Sequence, residues 1–262
     1  MRKSTSESEN LKLIESLSTR NFLFKDLDRS WLAQYLTPPR LTREKLYSNR
    51  PVYTAFRNDM SLEYLYVIVK GGPVVVRTTP LDRIIDITYK DSCFGMQNLA
   101  LSFGNVSRAF PSLVEAYKTA DVVKIPLEIV RQIHQESEIF RQHYGMMFEL
   151  QEKFQYHLLN CSTYPPQAVA ALLRALVYQE RELGNQPQAD GMFVFDLPVE
   201  IIAKACQLNH RTVEQVLKGM TKIGILKSPK GSHNDMVYVA NAEELKAVYG
   251  ATRDKVSWWP VK

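Results

Sequence analysis

The change of residue periodicity near Pro126 constrains the fold of this chain more than any other feature. Before it, short runs of β-branched and aromatic residues are typical of strands. These runs span residues 64–69, 74–78, 84–89, 113–118 and 122–125. After it, apolar residues recur every three or four positions, as they do along helices. The sequence therefore predicts an α+β fold whose first half is an antiparallel roll or sandwich of short strands.

Turn and terminal signals add detail to this first half. Gly71 and Gly72 predict a tight turn between the first two strands, and we expect the last two strands to form a further pair. Residues 23–36 have helical spacing. The opening MRKSTSESEN is basic and then polar, without the apolar core of a signal peptide. We therefore expect no export, and a flexible lead over residues 1–20.

Composition and motif content argue against several classes of protein. The chain has no apolar run of 18 residues, which argues against a membrane span. Cys93, Cys161 and Cys206 lack CxxC spacing, which argues against a disulfide framework, a zinc finger or an iron–sulfur cluster. The five histidines are scattered, and HExxH, P-loop, dinucleotide-binding and GxSxG motifs are absent from the sequence. We therefore expect neither an enzyme nor a cofactor or metal site.

A heptad-like stripe runs along the helical segment between residues 137 and 161. Its members recur at spacings of 3, 4, 3 and 4, and they are Met147, Leu150, Phe154, His157 and Cys161. One interpretation is the seam of a parallel dimer. The other is an amphipathic helix that packs on its own domain. Two heptads do not distinguish these interpretations.

Two helical segments separated by a short turn follow between residues 197 and 226. Asn209 is a good N-cap for the second segment, because its side chain accepts from free backbone N–H groups. Ala203 is small where two helices must cross closely, and Leu208 gives the turn an apolar plug. Together these features predict a helix-turn-helix, the motif that holds its second helix out for the major groove of DNA.

The second of these segments has a cationic face and an apolar face. At about 100° per residue, four polar residues lie within about 60° of one another: Arg211, Gln215, Lys218 and Lys222. The apolar residues on the opposite side are Val213, Val216, Leu217 and Met220. Arginine can read guanine, glutamine can read adenine, and lysine can hold phosphate. Taken alone, the polar face also fits a solvated surface helix.

The residues after this helix predict a wing. Residues 227–233 form a basic, turn-rich stretch, and residues 236–239 form a strand. Residues 195–231 hold six basic and three acidic side chains, so over half of the net charge of +5 lies here. Phosphate binding by counterion release needs such a concentration. The predicted DNA-contacting residues are Asn209, His210, Arg211, Thr212, Gln215, Lys218, Lys222, Lys227 and Lys230.

In this order of segments the chain resembles the catabolite activator / fumarate-nitrate regulator (CRP/FNR) superfamily of bacterial transcription factors. Residues 64–95 resemble the family's cyclic-nucleotide-binding roll, and Ile125-Pro126 resembles the exit from that roll. Residues 137–161 resemble the family's dimer helix, and residues 197–226 resemble its helix-turn-helix. The last match includes Thr212-Val213 and Val216-Leu217. The resemblance favours the dimer interpretation of the stripe. It implies a β-roll domain over 21–134, a dimerisation helix over 135–163 and a winged helix-turn-helix domain over 164–262.

Departures from the family pattern bear on control. In members that bind cyclic AMP, a Glu follows the Phe-Gly of the phosphate cassette, whereas here Gly95 is followed by Met96. Phe110 and Pro111 stand in place of the family's Arg-Ser or Arg-Thr pair, and Arg108 is two residues out of register. The resemblance therefore implies a degenerate effector cassette that does not bind cyclic AMP in the usual way. A cyclic-nucleotide-responsive regulator with an altered cassette is the alternative.

Further departures concern the other motifs of the family. The N-terminal cysteine cluster of the fumarate-nitrate regulator is absent from the sequence. His210-Arg211 and Gln215 stand where the family often has Arg-Glu and a second Arg, so the operator should differ. Gln207 replaces the usual Gly of the turn.

The resemblance implies a cytoplasmic, homodimeric transcription regulator that binds double-stranded DNA at an inverted repeat and contacts RNA polymerase. We expect no membrane association, and the sequence leaves the effector unknown. A ligand-binding module that does not bind DNA is a further alternative.

Overall fold

The strands of the first half form two antiparallel four-stranded sheets in the computed structural model. Their bounds are β1 Thr42–Leu46, β2 Pro51–Ala55, β3 Tyr64–Gly71, β4 Val74–Thr78, β5 Ile84–Thr88, β6 Cys93–Phe94, β7 Ser112–Ala116 and β8 Ala120–Pro126. The strand order is β1-β8-β3-β6 in one sheet and β2-β7-β4-β5 in the other. The structure describes residues 7–55, 63–78, 82–96, 112–160, 163–228, 231, 235–250, 256, 258 and 259.

The pairing corrects one expectation of the sequence analysis. Strands β7 and β8 lie in different sheets, so they do not form the expected pair, and β3 and β4 also lie in different sheets. Instead β3 pairs with β8, and β4 pairs with β7. Gly71 has a φ of +75°, and a Cβ there would lie 2.2 Å from the carbonyl oxygen of Thr119. The chain therefore needs a glycine where it leaves one sheet for the other.

The two sheets enclose an apolar core. Val75 in one sheet and Val123 in the other are fully buried. The ring of Tyr66 lies between those of Tyr53 and Phe94, with centroid distances of 6.1 and 4.8 Å. Because Tyr53 belongs to one sheet and the other two rings to the second, this stack joins the sheets across the core. The predicted antiparallel roll is confirmed.

The N-terminal segment is a helix over most of its length, not a flexible lead. Helix α1 spans Glu7–Arg20 and buries Leu13, Ile14 and Leu17. The side-chain amide of Asn10 donates to the carbonyl of Leu36 over 2.7 Å. The expectation for residues 7–20 is wrong because a few apolar side chains at helical spacing suffice to pack an otherwise polar segment.

The predicted helix over residues 23–36 is only partly present. A 3-10 turn covers Phe22–Phe24, α2 spans Arg29–Tyr35, and a second 3-10 turn covers Pro38–Arg40. Helix α2 begins late because Asp28 is its N-cap and accepts from the Trp31 N–H over 2.8 Å.

Two helices follow the last strand of the roll. Helix α3 spans Leu127–Glu136 directly after Pro126, where the sequence predicts the change to helical texture. Helix α4 spans Glu138–Leu159. Between them, the Ser137 hydroxyl oxygen accepts from the Phe140 N–H over 3.1 Å and so satisfies a free donor at the start of α4.

The second half contains a winged helix-turn-helix. Its elements are α5 Pro165–Glu182, β9 Phe193–Asp196, α6 Val199–Cys206, α7 His210–Lys222, β10 Leu226–Lys227, β11 Met236–Val239 and α8 Ala242–Gly250. The three strands form one antiparallel sheet in the order β10-β11-β9. Helix α5 packs against α6, α7 and α8 and is buried along its centre.

The chain separates into two units. One comprises Met1–Leu81 with Asp86–Gln151, and the other comprises Asp82–Ile85 with Glu152–Lys262. In the part of the chain that the structure describes, no helix combines the length and the apolar character needed to cross a membrane.

Candidate nucleic-acid interface

The turn between α6 and α7 has the geometry that the helix-turn-helix needs. Gln207 ends α6 in the left-handed region, with φ 55° and ψ 42°. The Leu208 N–H donates to the carbonyl of Ala203 over 2.9 Å and so satisfies one of the last carbonyls of α6. This position usually favours glycine, yet Gln207 occupies it.

Asn209 starts α7 as the sequence predicts. Its side-chain oxygen accepts from the Thr212 N–H over 2.8 Å. Its backbone is extended, with φ −78° and ψ 157°, as expected for an N-cap residue. Because Asn209 is exposed and lies one residue before α7, it fixes where the helix begins without entering the core.

Helix α7 has one buried face and one exposed cationic face. Val213, Val216 and Met220 are completely buried, while Leu217 lies half-buried at the edge of that face. On the other side Arg211, Lys218 and Lys222 are exposed, and Gln215 is half-buried. The helix therefore uses its apolar stripe for folding and leaves its cations available to solvent or to a partner.

The ion pairs of this region involve other residues. Lys204 on α6 lies 3.0 Å from Glu200 and 3.9 Å from Asp82, so its charge is compensated locally. His210 lies 4.0 Å from Glu214. Among the residues that the structure describes, no carboxylate forms an ion pair with Arg211, Lys218 or Lys222. Within the described part of the chain these three charges therefore have no ion-pair partner, which suits binding to phosphate groups.

The wing strands lie next to α7 in the same unit. Thr212 is half-buried at the start of α7, and Lys227 is exposed in β10. Lys230, predicted to contact DNA, lies outside the described residues. Strand β11 joins β10 to β9, so the wing is part of a three-stranded sheet and not an isolated hairpin.

The predicted dimer seam on α4 is already covered by the chain itself. Met147, Leu150 and Phe154 are only 4%, 6% and 2% exposed in a single chain. Their burial is what the alternative interpretation predicts, a helix packed within its own chain. His157 is exposed, and Cys161 lies outside the described residues. A dimer contact made by α4 would therefore have to use the face opposite to Met147 and Phe154.

That opposite face of α4 carries exposed side chains. Tyr156 on this face is 69% exposed, whereas Ile139, which is 44% exposed, lies only about 60° from Phe154 around the helix. At about 100° per residue, Tyr156 points about 160° away from Phe154. Tyrosine is among the residues enriched at protein–protein interfaces, so Tyr156 is a candidate for contact with a partner.

Two residues of the predicted effector cassette, Gly95 and Met96, lie among the described residues. Gly95 has a φ of +93°, and the Met96 side chain is completely buried. The hydroxyl of Tyr144 donates to the carbonyl oxygen of Met96 over 3.0 Å. Met96 thus belongs to the core of the first unit. Arg108, Phe110 and Pro111 lie outside the described residues.

The roll holds a buried carboxylate that the sequence analysis missed. Asp86 in β5 is 4% exposed, and its Oδ1 accepts from the Ile87 N–H over 2.8 Å. Burial raises the pKa of Asp86 to about 7 and also raises the pKa of Tyr53 well above its usual value. The only available signal was an acid within an otherwise apolar strand, Ile84–Thr88.

Solved structures with the same arrangement identify the fold. FixK2 from Bradyrhizobium japonicum matches with a TM-score of 0.58 at 16% identity, over 81% of this chain and 98% of that chain. A transcriptional regulator of the CRP/FNR family from Eubacterium rectale matches with a TM-score of 0.50 at 14% identity, over 87% and 98%. The chain has the CRP/FNR fold. The c-di-GMP responsive global regulator CLP from Xanthomonas campestris matches with a TM-score of 0.51 at 13% identity, over 82% and 100%.

Sequence comparison adds nothing to this structural likeness. No family model and no curated protein matches the chain. The chain is thus a divergent example of the CRP/FNR fold. The Met96 side chain is a thioether, which is at best a weak hydrogen-bond acceptor.

Proposed function

We propose that the chain is a sequence-specific, DNA-binding transcription regulator that acts as a dimer on an inverted-repeat operator. The observation that carries this proposal is the division of α7 within a winged helix-turn-helix. Its apolar stripe is completely buried, while Arg211, Lys218 and Lys222 are exposed and form no ion pair with described residues. Such a helix offers donors to bases and to phosphates at the same time.

The positions along α7 suggest separate roles. The N-terminal residues of a recognition helix face base edges, so Arg211 is the candidate for reading guanine and Gln215 for reading adenine. Lys218 and Lys222, further along the helix, together with Lys227 in the wing, are candidates for phosphate contacts. His210 and Thr212 complete the segment that faces the groove.

In vitro selection from random duplexes tests the proposal. Purified protein should enrich an inverted repeat whose half-site centres lie about one helical turn, or a multiple of it, apart. Binding should weaken steeply as salt rises, because Lys and Arg displace counterions from phosphate. A folded protein that enriches no sequence and is not retained on heparin would favour the ligand-binding module instead.

The dimer is proposed to form through the exposed face of α4 that includes Tyr156. The substitution Tyr156→Asp should convert a dimer to a monomer in light scattering, because it places like charges face to face in a two-fold contact. Phe154→Leu, on the buried face of the same helix, is the matched control and should stay dimeric. A wild-type protein that is monomeric at micromolar concentration, both free and on DNA, would contradict the dimer.

Control by cyclic AMP in the family's usual way is not expected. Met96 is a core residue that lacks the carboxylate for a ribose hydroxyl, and a charge-assisted hydrogen bond contributes about 1.5–3 kcal/mol. CLP, which shares the fold, is described as c-di-GMP responsive, so the fold admits more than one effector. Calorimetric titration with cyclic AMP and cyclic GMP tests this point. Micromolar binding that raises operator affinity would establish an altered cassette.

A regulator of this kind works in the cytoplasm, where the DNA and RNA polymerase are found. RNA polymerase is therefore a proposed partner, through activation or through occlusion of the promoter. Transcription in vitro from a template that carries the selected operator distinguishes the two modes. If transcription does not change when the protein is bound to that operator, RNA polymerase is not a partner of the protein.

A further inference from the structure

The segment Asp82–Ile85, which precedes and enters β5, contacts the ends of two helices in the second unit. The guanidinium of Arg83 donates to three main-chain carbonyls. Its Nε donates to Ala205 over 3.1 Å, and one terminal nitrogen donates to Leu159 over 3.2 Å. The other terminal nitrogen donates to the carbonyl of Leu158. We call Arg83 with these three carbonyls the Arg83 clamp.

The three carbonyls share a physical property. Leu158 and Leu159 are the last two residues of α4, and Ala205 is the penultimate residue of α6. The last four carbonyls of a helix have no partner within it, and the helix dipole makes this end negative. One guanidinium therefore satisfies orphan carbonyls of two helices at once. A lysine is a poor substitute, because its three N–H donors lie on one nitrogen, whereas Arg83 uses three separate nitrogens of a planar fork.

A second contact links the same segment to α6. Lys204 lies 3.9 Å from Asp82 and 3.0 Å from Glu200. The side chain of Asp82 is 58% exposed, so solvent screens this pair strongly. Arg83 is half-buried, so solvent screens its contacts less than it screens this ion pair.

We propose that Arg83 is a positioning residue that holds α6 at a fixed orientation against the end of α4. This inference rests on the proposed DNA-binding function. Helix α6 is the first helix of the helix-turn-helix, so its orientation determines the orientation of α7. If α4 carries the dimer contact, the clamp fixes the separation and angle of the two reading helices. An operator with one half-site spacing then binds better than operators with altered spacing.

The test compares spacer preference in three proteins: wild type, Arg83→Ala and Arg181→Ala. Arg181 is the matched control, because it is an exposed arginine of the same unit that pairs with Glu243 over 3.0 Å, away from the clamp. A spacer lengthened or shortened by one base pair rotates one half-site of the operator relative to the other. Wild type and Arg181→Ala should bind such operators about tenfold more weakly than the selected operator. Arg83→Ala should lose most of that discrimination. Its affinity for non-specific duplex should remain unchanged, because the phosphate-binding lysines are intact.

A second variant and a second readout keep the test decisive. Arg83→Lys keeps the charge but cannot reach three carbonyls, so it should behave like Arg83→Ala even if the alanine variant folds poorly. Hydrogen exchange, which needs no DNA, should accelerate at the last turns of α4 and α6 in both variants and stay unchanged within α7. If the wild type binds no operator but hydrogen exchange accelerates in the two Arg83 variants, the proposed DNA-binding function is wrong while the structural role of the Arg83 clamp is supported. Unchanged spacer discrimination in the folded variants, or unchanged exchange, would overturn the positioning role.

Discussion

The charged side chains of α7 and those in the sheets of the roll are placed in opposite ways. On α7, Arg211, Lys218 and Lys222 are exposed and unpaired among the described residues. In the roll, Asp86 is buried, and the ion pair between Arg77 and Glu115 has only 17% and 8% of its two side chains exposed. An exposed charge contributes little to folding and is free to act on a partner, whereas a buried charge is coupled to folding. Substitutions in the roll should therefore change stability, and substitutions on α7 should change DNA binding.

The largest effect is expected at the buried ion pair of the roll. Glu115→Ala should lower the free energy of unfolding by about 3–5 kcal/mol, because it leaves the Arg77 guanidinium buried without the carboxylate that lies 2.6 Å away. Urea unfolding measures the change. The control is Glu15→Ala, which breaks an exposed pair with Arg29 and should cost less than about 1 kcal/mol. Equal costs for the two substitutions would remove the contrast between buried and exposed charges.

The next effect concerns pH and Asp86. The pKa of the Asp86 carboxyl in the folded protein is about 7, above its usual value of 3.8, so the protonated form is favoured on folding. The stability associated with this preference is fully present below about pH 4 and is lost as the pH rises through 7. Asp86→Asn should remove this dependence and stabilise the protein above pH 7 by an amount on the order of 2–4 kcal/mol. Unfolding measured from pH 4 to pH 8 reports the change.

An exposed carboxylate of the same unit provides the control for that measurement. Asp26 is exposed at a position with φ 64°, which asparagine also tolerates. Asp26→Asn should reproduce the wild-type dependence of unfolding on pH. A wild-type protein whose unfolding free energy does not fall between pH 4 and pH 7 would show that Asp86 is ionised without cost in the folded roll.

The same contrast explains what the sequence could predict. The period of α7 and the cap at Asn209 are local, so both were predictable from spacing. The positions of β3, β4 and β5 were also predicted correctly, but their partners could not be predicted, because pairing such as Val67 with Val123 joins distant residues. The stripe that includes Met147 and Phe154 was visible, but spacing does not say whether the chain itself or a second copy covers it. Asp86 was missed because its surroundings are made by the tertiary fold.

On α7 the expected effect is on binding and not on folding. Arg211→Ala should weaken operator binding by about 1–3 kcal/mol and relax specificity at one base pair. Because Arg211 is exposed, the unfolding temperature should stay unchanged. Lys246→Ala, which removes an exposed cation from α8, is the control and should leave base preference intact. Retained operator affinity and unchanged base preference in Arg211→Ala would remove Arg211 from the reading face.

The smallest effect separates capping from DNA contact at Asn209. The Asn209 side chain accepts from the Thr212 N–H, so Asn209→Ala should cost about 1 kcal/mol of stability, while Asn209→Ser should keep the cap and cost little. Thermal unfolding of the two variants measures this difference. Operator affinity then tests the second role that the sequence predicts for Asn209. If Asn209 also contacts DNA, the serine variant keeps its stability but binds the operator more weakly. If Asn209 acts only as a cap, the serine variant keeps both its stability and its operator affinity. Equal stability of the alanine and serine variants would show that the cap contributes nothing.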